Sequence, residues 1–108
     1  MADIITELYE VVLDRKKSPQ EGSYTCYLFE KGIDKILKKV GEECAETIIA
    51  AKNSDNIELK NEICDLIYHL FVLMVQQGLS VDDVLSELEN RSLKIGNLKT
   101  LKNTDKNT

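Results

Sequence analysis

Proline occurs once in this 108-residue chain and glycine five times, and aromatic residues make up only 6%. A β-sandwich would need many more turn residues and aromatics, so the scarcity points to a compact helical protein. The three cysteines, Cys26, Cys44 and Cys64, are odd in number and show no CxxC spacing. They read as reduced thiols buried in the core of a cytoplasmic protein, not as a disulfide framework or a zinc site. Positive charge is not in excess: the formal net charge is −5, which disfavours nucleic acid as a partner. The N-terminal stretch MADIITELYEVV lacks the basic, apolar, small-residue order of a signal peptide. The longest apolar run, LIYHLFVLMV at 66–75, is too short to span a bilayer and contains His69, so no membrane partner is expected.

What remains is helical periodicity. The length suits one domain, and residues 1–98 are expected to form it, with 99–108 as a flexible tail. Asp3–Lys17 places Ile4, Ile5, Leu8, Val11 and Val12 at helical spacing. Pro19 and Gly22 then punctuate a loop, and Ser23 or Thr25 is placed to cap a short turn, YTCYLFEK, that Gly32 ends. A long helix is predicted over Ile33–Lys52 and another over Ile57–Gln77, closed by Gly78. Ser80 caps a last, shorter one over Val81–Asn90. The expectation is an all-α bundle of four main helices.

Two of these helices carry acids where apolar residues are expected. GEECAETIIAA at 41–51 holds Glu42, Glu43 and Glu46, and NEICDLIYHLF holds Glu62 and Asp65. At about 100° per residue, Ile33, Ile36, Leu37, Val40, Cys44, Thr47, Ile48 and Ala51 form one stripe. Glu43 then lies about 60° and Glu46 about 120° to one side of its centre, while Glu42 points about 160° from Val40. On the next helix the stripe is Leu59, Ile63, Leu66, Leu70 and Leu73, with Glu62 about 40° and Asp65 about 100° from Leu66. If the two helices pack antiparallel, four carboxylates converge. Like charges at close range raise one another's pKa unless a cation intervenes, and an all-oxygen donor set suits Mg²⁺ or Mn²⁺. Such an ion polarises a phosphoryl group and activates water. The plainer alternative is a solvated face, with Lys39–Glu43 and Lys38–Glu42 as ordinary i,i+4 pairs. Glu62, well inside an apolar stripe, argues against it.

The pattern EExxE from Glu42 to Glu46, then ExxD from Glu62 to Asp65, resembles the signature of the all-α nucleotide pyrophosphohydrolases, the MazG-like superfamily. With GSYTCYLFEKGIDKILKKVGEECAETIIAAK and EICDLIYHLFVLM added, the chain is most similar to the phosphoribosyl-ATP pyrophosphatase branch, over about residues 4–91. The resemblance implies Mg²⁺-dependent hydrolysis of phosphoribosyl-ATP to phosphoribosyl-AMP and pyrophosphate, in histidine biosynthesis. It also implies a homodimer, with Glu43, Glu46, Glu62 and Asp65 on the metal and Glu42 as a weaker contributor. It implies further that the next pathway enzyme is a separate protein. Lys31, Lys35 and Lys39 are candidates for the triphosphate, although solvated roles suit Lys31 and Lys35 equally. Ser23, Tyr24 and Thr25 are candidates for phosphate or ribose, against helix capping as the default. His69 reads as a core histidine bonded to a neighbour such as Asp65, and Arg91 as a phosphate contact or an exposed ion pair. Two other readings stay open: a housecleaning nucleoside triphosphate pyrophosphohydrolase, and a non-enzymatic helical dimerisation module.

Overall fold

The computed structural model describes residues 3–96, which form five α-helices with no strand among them. They are α1 (Ile4–Lys17), α2 (Tyr24–Lys31), α3 (Ile33–Lys52), α4 (Asn56–Gln77) and α5 (Val81–Gly96). Four of the five starts have a capping side chain. Asp3 Oδ1 accepts from the Ile5 amide at 3.1 Å, Ser23 Oγ from Cys26 at 3.2 Å, Asp55 Oδ1 from Glu58 at 3.0 Å and Ser80 Oγ from Asp83 at 3.2 Å. The α2–α3 junction has none. Gly32 alone separates them, at φ 91° and ψ −171°, a region essentially reserved for glycine and costing other residues about 1–3 kcal/mol.

One core joins all five helices. Tyr9 and Val12 of α1, Leu28 of α2, Ile36 of α3, Phe71, Val72 and Val75 of α4, and Val81 of α5 make up its buried cluster. Tyr9 packs edge-on to Phe71, with centroids 6.3 Å apart, and its hydroxyl donates to the Leu79 carbonyl at 2.9 Å. That bond ties α1 to the α4–α5 turn. Among element pairs, α3 and α4 share the most extensive contact. Glu46 and Ala50 line one hollow with Glu58 and Glu62, so the two helices run antiparallel across the turn at 53–55.

The structure changes four sequence expectations. The buried line on α3 runs through Ile36, Glu43 and Ala50, while Leu37, Cys44 and Ile48 of the predicted core stripe are exposed. On α4, Glu62 and His69 are buried and Ile63 and Leu70 exposed. Both helices are rotated so that the acids, not the strongest apolar residues, enter the seam. The cysteines are therefore not core residues: Cys44 and Cys64 ride on the outward faces and Cys26 is half-buried. Ile4, Leu8 and Val11 of α1 are likewise exposed, leaving Tyr9 and Val12 to pack inward. Finally, α5 continues past Asn90 to Gly96, because Ser92, Leu93 and Lys94 contain nothing that breaks a helix. The expected tail at 99–108 and the domain boundary at 98 lie outside the described residues. No single helix among those described is long and apolar enough to cross a membrane.

Candidate active site

The α3–α4 seam brings three acids together. Glu43, Glu62 and Asp65 each offer a carboxylate oxygen, and these oxygens lie within 4.8 Å of one another. Glu43 is only 6% and Glu62 8% exposed, whereas Asp65 stands at the exposed edge. The Oε2 atoms of both glutamates are buried with no hydrogen-bond partner in the protein. An ionised carboxylate is costly to bury unpaired, so this donor set could hold a cation. Oxygen-only ligands, one buried pair and one open side fit a hard divalent ion that keeps positions for water and phosphate.

Glu46 is not within that trio, yet it bears on it. The pKa of Glu62 is raised to about 8, first by Glu46, then by Glu58, by burial and by Glu43. The influence of Glu58 escaped the sequence reading. Its signal was available, since Glu58 precedes Glu62 by four residues and so shares its face of α4. With Ile49, Ala50, Asn53 and Asp55, these acids line a hollow of about 350 Å³ beside the trio.

Glu42 does not join the cluster. Its Oε2 accepts from Lys39 Nζ at 3.1 Å, and its Oε1 lies 3.8 Å from Lys38. The Lys39 hydrogen bond holds its carboxyl below the usual range and raises the Lys39 ammonium in turn. Lys39 also approaches Glu43 Oε1 at 4.0 Å. One cation therefore stands at the rim of the seam, steadied by Glu42. Lys31 and Lys35 are further out along α2 and α3, their ammonium groups 5.8 and 6.0 Å from the centre of the Tyr27 ring. Arg91 pairs with Glu87 at 3.4 Å on the surface.

A polar chain supports the edge of the site. His69 Nδ1 lies 2.7 Å from the backbone carbonyl of Asp65, not from its carboxylate. A carbonyl only accepts, so Nδ1 carries a proton, and Nε2 lies 2.9 Å from the Tyr24 hydroxyl, within hydrogen-bond distance. Tyr24 spans 45 residues of sequence to reach it. The phenol is raised above its ordinary pKa, first by partial burial, against a lowering pull from Lys39. Of the three neighbouring hydroxyls, Ser23 is the α2 cap and Thr25 bonds to the Tyr68 hydroxyl. All three hydroxyls are thus engaged within the protein, and Tyr24 remains 46% exposed through the rest of its side chain.

A family model described as phosphoribosyl-ATP pyrophosphohydrolase matches residues 5–92. A phosphoribosyl-ATP pyrophosphatase of Clostridium novyi is 58% identical over 97 residues, which cover 90% of this chain and 88% of that protein. Another, of Listeria welshimeri, is 53% identical over 102 residues, covering 94% of this chain and 98% of the relative. A histidine biosynthesis bifunctional protein of Thermoanaerobacter pseudethanolicus is 62% identical over 86 residues, 80% of this chain and 40% of that longer protein.

Proposed function

This chain belongs to the phosphoribosyl-ATP pyrophosphohydrolase family, and on that premise we propose how it hydrolyses phosphoribosyl-ATP to phosphoribosyl-AMP and pyrophosphate, the second step of histidine biosynthesis. The reaction is assigned to the α3–α4 seam with Mg²⁺, for which Mn²⁺ is a substitute. The observation that supports this is the pair of buried, unpartnered oxygens on Glu43 and Glu62. Glu43, Glu62 and Asp65 would hold the ion, with Glu46 beside Glu62. A cation bound there supplies charge to the phosphoryl oxygens and lowers the pKa of water.

The protein's own groups do the rest. Glu43, with one oxygen free of protein partners, is the base that takes a proton from the attacking water. The bond broken joins the α- and β-phosphates. Lys39 at the rim offsets phosphate charge, and Glu42 fixes where its ammonium stands. His69 anchors the Asp65 backbone and positions Tyr24.

We propose a homodimer, supported by the apolar residues exposed on α3 and α4. Leu37, Cys44 and Ile48 on α3 and Ile63, Cys64 and Leu70 on α4 form outward apolar stripes, and a second copy of the chain would cover them. The molar mass by light scattering checks this. The three thiols suit the reducing cytoplasm.

The activity is tested by pyrophosphate release from phosphoribosyl-ATP, beside ATP, dCTP and dUTP, with Mg²⁺ or with EDTA. We expect turnover of phosphoribosyl-ATP that EDTA abolishes. Preference for a free nucleotide would move the chain to a housecleaning role, and turnover in EDTA would remove the metal from the seam.

A further inference from the structure

Phosphoribosyl-ATP differs from ATP by a ribose 5-phosphate carried on the purine. An enzyme that selects it needs a second anion-recognising place, beyond the purine and away from the scissile phosphates. The α3–α4 seam offers nothing of that kind, since its side chains are acids with Lys39 at the rim.

A place of the right chemistry lies on the other side of Tyr24. The loop between α1 and α2, with the flanking helix ends, lines an open cavity of about 870 Å³, more than twice the volume of the hollow beside Glu58. That volume is within the range of small-molecule sites, roughly 300–1,000 Å³. Arg15 and Lys16 supply its cations, and Tyr24, Tyr27 and Phe29 its aromatic surface. The Tyr24 and Tyr27 rings are stacked, with centroids 6.2 Å apart and planes 25° from parallel. Such a platform accepts a purine face.

The Arg15 guanidinium lies 3.4 Å from Asp14, whose side chain is 62% exposed. A surface pair of that kind is weak and readily exchanged, leaving the planar fork for a phosphate. Lys16 sits 4.7 Å above the Phe29 ring centre and donates to Gln76 Oε1 at 3.0 Å, so no carboxylate neutralises it. Glu21 and Glu30 also line the cavity. Recognition there rests on the geometry of the donors and not on a net positive field.

We propose that this cavity is the subsite for the phosphoribosyl end of the substrate, with the purine against the Tyr24–Tyr27 pair and the 5-phosphate on Arg15 and Lys16. Tyr24 belongs to both places. Its ring lines the cavity, and its hydroxyl bonds to His69, which in turn holds the Asp65 backbone. The inference rests on phosphoribosyl-ATP being the substrate, and its test is arranged to stand apart from turnover.

Binding of phosphoribosyl-AMP and of AMP is measured by titration calorimetry on the wild type and on Arg15→Gln. We expect the wild type to prefer phosphoribosyl-AMP, and Arg15→Gln to weaken it at least tenfold while leaving AMP within twofold. Arg15→Lys should recover part of the loss. In steady-state assays the same variant should raise KM for phosphoribosyl-ATP with kcat little changed, and Arg91→Ala, far from the cavity, should behave as wild type. If circular dichroism shows Arg15→Gln to be misfolded, Lys16→Gln carries the same comparison. Equal losses for both ligands would place the AMP moiety in the cavity and overturn the assignment, and so would no loss at all. Absence of hydrolysis by the wild type would count against the proposed activity, while the binding comparison would still decide the subsite.

Discussion

Glu62→Gln should eliminate turnover and, in the absence of metal, make the protein more stable. The two effects have one origin. Glu62 shares its pocket with Glu46, Glu58 and Glu43, which raise its pKa to about 8 from an ordinary 4.5. A carboxyl with a raised native pKa binds its proton more tightly folded than unfolded. Its contribution is intact below about pH 4.5 and is lost as pH rises towards and through 8. In EDTA the wild-type melting temperature should therefore fall across that window, and the glutamine variant should lack this part of the decline. Mg²⁺ should restore the wild type at pH 7 to 8, with close to one proton released per site at pH 7, and should do little for the variant. Loss of outer-shell partners commonly reduces metal affinity or activity about 10- to 100-fold, so turnover should drop by at least that. Glu43→Gln and Asp65→Asn should also lose turnover, with helical circular dichroism intact. Thermal melts in EDTA and Mg²⁺ across pH 5 to 8, beside pyrophosphate release, check the set. A glutamine variant that melts lower than wild type in EDTA at pH 8 would contradict the crowding of carboxylates.

The second large effect concerns the scaffold behind the site. Leu28 is completely buried where α2 meets the core formed with α1, α3 and α4. Leu28→Ala should cost about 2–5 kcal/mol, the lost transfer energy plus the cavity left behind. A domain of this size has a total stability of about 5–15 kcal/mol, so the loss is a large share. It should lower the melting temperature by roughly 10–25 °C. Ile36→Val, also at a fully buried position, should cost only about 0.5–1.5 kcal/mol. Calorimetry in saturating Mg²⁺ provides the comparison. A drop of under 2 °C for Leu28→Ala would mean that α2 is not part of the cooperative unit.

Local chemistry made the helices legible. Ser23 and Ser80 cap where capping residues were expected, Asp3 and Asp55 do the same for α1 and α4, and Gly32 and Gly78 mark the breaks. The rotation of α3 was not legible. Hydrophobicity selects Leu37, Cys44 and Ile48 as a core stripe, yet those residues are exposed among the described residues. Periodicity finds an apolar face and does not say whether the chain's own core covers it. The same ambiguity placed the cysteines inside. The spacing put Glu43 with Glu46 and Glu62 with Asp65, because helical angle is a local property, but of the four the structure gathers only Glu43, Glu62 and Asp65. The Tyr24–His69 bond and the α1–α2 cavity depend on residues distant in sequence, and no periodicity encodes them.

The trio Glu43, Glu62 and Asp65 comes from a single helical hairpin closed by the short turn at 53–55. Contacts so local in sequence form quickly, and the chemistry can be inherited as one compact unit. The α1–α2 loop lies outside that hairpin. It can lengthen, shorten or exchange residues without altering the register of the acids. On the assignments proposed above, reactivity and substrate choice would be carried on separate segments of the chain.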